Sequence, residues 1–144
     1  MSYAGPIGVI GAGSWGTTLA QLLAAKGYRV EDLCTIIAEA RENTFYLPGF
    51  PLHENIAPHN DLKSVVAAHG LLVMVVPSHV YRNVARQMLP FLEKDAIIVS
   101  ATKGIENETL LTMSDIWQEI LPSKNFARLA CLGGPTFARE VIQK

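Results

Sequence analysis

The apolar run Ile7-Gly8-Val9-Ile10 leads directly into Gly11-Ala12-Gly13-Ser14-Trp15-Gly16 and then into Thr17-Thr18-Leu19-Ala20. A short buried strand, a tight glycine turn and a helix start in that order permit few folds. Gly11, Gly13 and Gly16 stand at G-x-G-x-x-G spacing, and each has its own physical task. Gly11 turns the chain, Gly13 lets a pyrophosphate approach the backbone, and Gly16 lets the helix pack closely on the strand. A helix beginning near Ser14 aims unpaired amide N–H groups, and roughly half a unit of positive charge, at the phosphates. Three glycines in six residues also occur in plain turns. The apolar strand before them and the amphipathic helix after them favour a phosphate cradle.

The remaining chain alternates in the same way. Leu19, Leu22 and Leu23 recur at helical spacing, and Gly27 is placed to cap that helix and send the chain into Tyr28-Arg29-Val30, expected as the second parallel strand. Glu31 to Arg41 then reads as a helix, with acidic residues in its first turn and Leu33, Ile36 and Ile37 on its apolar face. Asn43 to Asn60 reads as a loop whose Pro48, Pro51 and Pro58 exclude regular helix and whose length marks it as functional. Asp61 caps a helix through Ala68 that ends at Gly70. Leu71 to Val76 suits a strand buried on both faces and stopped by Pro77, with Val80, Val84 and Met88 four apart on the helix after it. Ala96 to Ser100 is the next strand, and Leu110, Met113, Ile116, Trp117 and Ile120 face the core from the next helix. Arg128 to Leu132 is a further strand, broken by Gly133-Gly134-Pro135, with a helix starting near Thr136. The alternation predicts an α/β fold of Rossmann type, a doubly wound parallel sheet between two helix layers, as one dinucleotide-binding domain over residues 1–144.

Composition removes several function classes. A chain of 144 residues with 49% apolar and 17% charged residues can bury a real core, and a net charge of −1 gives no electrostatic footprint for nucleic acid or an anionic membrane. No basic segment precedes the apolar run from Pro6 to Ile10, so neither a signal peptide nor a membrane anchor is expected, and the cytoplasm is the default location. Cys34 and Cys131 form no CxxC pair and read as reduced residues rather than nucleophiles. His53, His59, His69 and His79 are scattered without ligand spacing, so no metal site is expected.

In a sheet of this type ligands bind outside the carboxyl ends of the strands. Four such ends carry small, backbone-exposing or cationic residues: the glycine turn, Val76-Pro77-Ser78-His79, Ser100-Ala101-Thr102-Lys103-Gly104, and Gly133-Gly134-Pro135-Thr136-Phe137-Ala138. Singly each has a plain structural reading, and for Lys103 alone a solvated loop lysine is the better one. Together at one sheet edge they suit an anionic ligand with a phosphate-bearing body. Pro77 then faces the cofactor and Lys103 pairs with a phosphate or polarises a substrate oxygen. Ser78 offers a hydroxyl, and Thr136 with the Gly134 amide holds a phosphate.

GAGSWGTTLA, RENTFYLPGFPLHENI, VVPSHVYR, SATKGIE and GGPTFAREV, in that order, resemble the N-terminal cofactor domain of bacterial NAD(P)-dependent glycerol-3-phosphate dehydrogenases over nearly the whole chain. The glycine motif is shared by many dehydrogenases, whereas VPSH with ATKGIE and GPTFA is specific to this family. The resemblance implies reversible hydride transfer between NADPH or NADH and dihydroxyacetone phosphate, giving sn-glycerol 3-phosphate for phospholipid synthesis. It implies cofactor contacts at Ser14, Trp15 and Ala138, a contact shared by cofactor and substrate at Lys103, and substrate contacts at Gly134 and Thr136. It also implies a catalytic lysine in a C-terminal helical domain that this chain does not contain, so that the chain alone should bind a dinucleotide without reducing a ketone. A homodimer is expected.

One stretch departs from the family. A three-residue strand joined directly to a helix leaves no room for a turn, so residues are expected to be missing between Val30 and Glu31. There the family's longer strand ends in residues, commonly including an arginine, that read the 2′ position of the adenosine ribose. Glu31 lies twenty residues after Gly11, and taken literally it would sit on the 2′-hydroxyl and mean NAD. The compression argues against that reading and leaves NAD against NADP open. Two other functions fit the residues: a stand-alone dinucleotide-binding or redox-sensing module, and the cofactor domain of another two-domain dehydrogenase acting on a hydroxy acid or sugar phosphate.

Overall fold

The structure is a computed structural model that describes residues 3–33, 40–121 and 128–143. Strand β1 (Ile7–Ile10) is buried at every position and runs through the glycine turn into helix α1 (Ser14–Ala25). At the end of α1, Gly27 takes φ 90° and its N–H reaches the Ala24 carbonyl at 2.9 Å, the expected glycine stop. Strand β2 (Val30–Leu33) follows, then β3 (Ile56–His59), α2 (Leu62–Ala68) and β4 (Leu71–Met74). Helix α3 (Ser78–Met88), a 3₁₀ turn (Leu89–Phe91), β5 (Ile97–Ser100), α4 (Met113–Ile120), β6 (Leu129–Cys131) and α5 (Ala138–Ile142) complete the order.

Among the described residues the sheet has six strands, all parallel, in the order β3-β2-β1-β4-β5-β6. This is the doubly wound arrangement, whose direction of winding reverses between β1 and β4. Two apolar clusters fill the two faces. Ile7, Val9, Leu19, Ala20 and Val30 pack on the α1 side, and Ile10, Leu72, Met74, Tyr81, Ile116 and Trp117 pack on the side of α2, α3 and α4. Within the second cluster the Trp117 indole N–H donates to the Tyr81 hydroxyl at 2.8 Å, and burial pushes the Tyr81 phenol up to about 12. That phenol is a neutral core group, remote from acid–base work.

Two expectations are corrected. Glu31 does not open a helix. The strand runs across the Val30–Glu31 junction in continuous register, with Gly8 opposite Glu31 and Val9 opposite Asp32, and the rest of the expected helix, with Cys34, lies outside the described residues apart from Ala40 and Arg41. The stretch from Asn43 to Asn60 is not loop throughout, because Ile56–His59 pairs with β2. Pro58 is tolerated there since β3 is an edge strand, which needs no N–H on its outer side. The remaining elements lie where the periodicity puts them, to within a few residues at their ends, but Leu110 does not face the core: α4 begins at Met113, and Leu110 stands in the loop before it at φ 60° and is 69% exposed. Asp61 accepts the Lys63 and Ser64 amides as a helix cap, and Thr112 with Asp115 caps α4 reciprocally.

Candidate functional site

The strand ends on either side of the winding reversal enclose a crevice of about 530 Å³, lined by the glycine turn, by Val75 to Pro77, by Ala101 to Lys103 and by Tyr46. Gly11 leaves β1 at φ 118°, a conformation that only glycine adopts freely, and a side chain there would stand 2.5 Å from the Val75 carbonyl oxygen. Gly16 meets the turn from the helix side: a Cβ on it would overlap the Gly11 carbonyl oxygen. The close packing expected of Gly16 is therefore against the turn itself. Gly13 is different. It is the N-cap of α1, with extended backbone, and a Cβ built on it meets no atom within 4 Å.

No side chain caps α1, and no acidic residue stands in its first turn. The amides of a twelve-residue helix are thus left for something else at this end, beside a position where backbone can be approached closely. Residues of this kind fit a dinucleotide pyrophosphate on their own geometry.

Lys103 follows β5 at the same edge. Its ammonium donates to the Thr136 carbonyl and stands 5.4 Å from the centre of the Trp15 ring, close enough for a cation–π attraction. The Thr102 hydroxyl donates to the Val76 carbonyl at 2.8 Å, tying the Lys103 loop to the end of β4. The second tie is longer in reach: Arg82 on α3 grips Glu106 with two hydrogen bonds of 2.8 Å and also donates to Glu119 on α4 at 2.6 Å. The Arg82 guanidinium, helped by the Thr109 hydroxyl, holds the Glu106 carboxyl down to about 2. Glu106 therefore stays ionised at any mildly acidic or neutral pH, and the loop after Lys103 stays clamped to α3.

Gly11, Gly13, Ser14, Trp15, Gly16, Pro77 and Lys103 all line the crevice. Thr136 reaches it through Lys103, and Ala138 lies against α1, its carbonyl accepting the Thr18 hydroxyl at 3.3 Å. Gly134 is exposed on the approach to α5. His79 does not face the crevice; it lines a separate polar cleft with Arg82 and Arg86. Nor does Glu31, which sits mid-strand with its carboxylate 3.4 Å from His59 and 3.7 Å from His69. Among the described residues no His, Cys, Asp or Glu cluster could hold a metal ion, and no helix is long and apolar enough to cross a membrane.

Two contacts that brace the crevice have no local signal in the sequence. One is the Arg82–Glu106 clamp, whose partners are 24 residues apart. The other is Asn43, which is buried in the long loop and touches the glycine turn.

Residues 6–144 match the family model described as NAD-dependent glycerol-3-phosphate dehydrogenase N-terminus. The chain belongs to that family. It is 60% identical over 150 residues to a glycerol-3-phosphate dehydrogenase [NAD(P)+] of Syntrophobacter fumaroxidans, an alignment covering 100% of this chain and 44% of the relative. With the enzyme of the same name from Syntrophotalea carbinolica the identity is 52%, over 94% of this chain and 42% of the relative. The chain thus spans less than half the length of the curated family members it matches. Among solved structures, it is similar to glycerol-3-phosphate dehydrogenase from Coxiella burnetii, at TM-score 0.81 and 28% identity over 96% of this chain and 43% of that one. A ketopantoate reductase from Ralstonia eutropha shares the fold alone, at TM-score 0.62 and 21% identity over 88% of this chain and 39% of that one.

Proposed function

We propose that the protein carrying this chain interconverts dihydroxyacetone phosphate and sn-glycerol 3-phosphate with NAD(P)H, and that this chain is its cofactor-binding half. The observation that carries the reading is the meeting of Lys103 with the glycine turn in one crevice of a family member. When bound, the nicotinamide exchanges the hydride. The chain's own residues bind and orient. Gly13 and the first amides of α1 receive the pyrophosphate, and Ser14, Trp15, Gly16, Pro77 and Ala138 shape the rest of the cofactor's bed. Lys103 presents a cation where a phosphate-bearing ketone would lie, with Thr136 and Gly134 beside it. The acid that delivers a proton to the ketone oxygen is assigned to the further length that the relatives possess, in keeping with the resemblance.

The test is oxidation of NADPH and NADH by the natural-length protein with dihydroxyacetone phosphate. Lys103→Gln is expected to lower kcat/KM by about 10- to 100-fold, the value of one hydrogen bond to a charged group, while the melting temperature stays near that of wild type. No oxidation by the wild-type protein, or an unchanged kcat/KM in the variant, would sink the assignment.

We also propose that the natural chain carries additional residues between Val30 and Glu31. In support, the alignment with the Syntrophobacter relative runs over 150 residues, more than the 144 of this chain, so the relative holds residues with no counterpart here. Glu31 and Asp32, acidic residues within an interior strand of a parallel sheet, support it too. The added residues would complete β2 and carry the contacts that choose between NAD and NADP. Mapping the tryptic peptides of the expressed protein across Arg29–Arg41 checks this: a peptide matching VEDLCTIIAEAR without insertion counts against it.

A further inference from the structure

Asn43 is 2% exposed, although Thr44, Phe45 and Tyr46 after it are open to solvent. Its side-chain N–H₂ donates to the Ala12 carbonyl at 2.9 Å and to the Thr17 hydroxyl at 2.7 Å, and its side-chain oxygen accepts the Tyr46 N–H at 3.0 Å. The loop around it is fastened independently to α1, since Gln21 donates to the Pro51 carbonyl at 3.3 Å and accepts the His53 N–H at 2.8 Å. Asn43 therefore joins a fixed wall, on which Tyr46 lines the crevice, to the Ala12–Gly13 peptide of the glycine turn.

A trans peptide is planar, with its N–H directed opposite to its C=O. Holding the Ala12 carbonyl towards Asn43 consequently points the Gly13 N–H the other way. Gly13 by itself cannot enforce this, because a glycine has access to conformations on both sides of φ. If the Asn43 donor were lost, the Ala12 oxygen would have no partner on its inner side and the peptide would be free to turn it towards the crevice, where it would repel a phosphate.

We propose that Asn43 is a positioning residue for the dinucleotide: its amide holds the Ala12–Gly13 peptide so that the Gly13 N–H faces the crevice, and thereby sets affinity for the pyrophosphate. This rests on the cofactor reading above. A purely structural role, in which Asn43 only satisfies buried loop groups, would cost stability and leave affinity per folded molecule unchanged.

The experiment uses the natural-length protein and Asn43→Asp, which keeps the shape and the acceptor for Tyr46 but loses the donor. NADPH and NADH affinities per folded molecule are measured by calorimetry at neutral pH for this variant and for Asn43→Ala, which removes the donor without adding charge, each relative to wild type, with circular dichroism confirming the fold. The expected result is an affinity about tenfold or more weaker in both variants. An affinity equal to wild type in Asn43→Ala would overturn the proposal. Should the variant fail to fold, wild-type protein labelled with [15N]glycine decides: the Gly13 amide resonance must shift when NADPH is added, and a stationary one refutes the assignment. A wild-type protein that binds neither cofactor would refute the cofactor reading itself, and this inference with it.

Discussion

Gly16→Ala is expected to destabilise the domain by about 3 kcal/mol or more and to lower its melting midpoint by about 10 °C or more. The added methyl group would overlap the Gly11 carbonyl oxygen and stand 2.9 Å from the Gly11 carbonyl carbon. Both are backbone atoms, so no side-chain rotation relieves the clash. The turn cannot withdraw either, because Gly11 already lies against the Val75 carbonyl at the end of β4. The helix must move instead, yet Ala20 and Ala24 on its inner face are fully buried and Leu19 nearly so. Shifting it opens a gap along that face, which forfeits close contacts in a core packed to near-crystal density. Against a typical total stability of about 5–15 kcal/mol, a loss of this size leaves a measurable unfolded fraction on mild heating. Thermal unfolding followed by circular dichroism checks it. A variant melting within about 2 °C of wild type would mean that the helix does not press on the turn as described.

The parts of this fold that were legible in the sequence are those whose neighbours along the chain already declare them. β1 and β4 are apolar runs, and in an all-parallel sheet an interior strand must be apolar on both faces, so there the pattern and the burial coincide, whereas β5 is as apolar but leaves Ile97 exposed. β3 was hidden because an edge strand carries no such demand: Ile56-Ala57-Pro58-His59 needs one inward residue, Ile56, and its proline resembles loop chemistry. Glu31 and Asp32 misled for a related reason, since acidic residues ahead of apolar ones are also the mark of a helix start. At the site, the glycine turn, Pro77 and Lys103 were found because topology alone delivers strand ends to one edge. Asn43 and Arg82 were not. Asn43 acts on atoms 26 and 31 residues away and Arg82 on a carboxylate 24 residues away, and nothing local to either distinguishes it from a solvated loop or helix residue. The length of the loop holding Asn43 was the one available hint, and it pointed to function without naming the residue.

Gly13→Ala should do the reverse of Gly16→Ala, abolishing most dinucleotide binding while leaving the fold nearly untouched. Gly13 has φ −71° and ψ 179°, which alanine adopts without strain, and its missing side chain would meet no atom within 4 Å. The expected cost to stability is thus at most about 1 kcal/mol, the usual disadvantage of alanine at a helix N-cap. In the cofactor reading proposed above, the open space around Gly13 is the space through which a pyrophosphate would reach the helix amides, and a methyl group there would keep the phosphate at a distance where those N–H groups cannot bond it. Losing two such charge-assisted hydrogen bonds corresponds to an affinity at least about 100-fold weaker. One measurement reads both halves. Wild-type protein should gain melting temperature as NADPH is added, by an amount set by the logarithm of its concentration over Kd. The variant should start from nearly the same midpoint and fail to gain at the same concentrations. A variant that starts low would place Gly13 with Gly16 as a packing residue. One that starts level and rises like wild type would mean that the phosphates do not lie on this turn, and the cofactor reading would lose its central support.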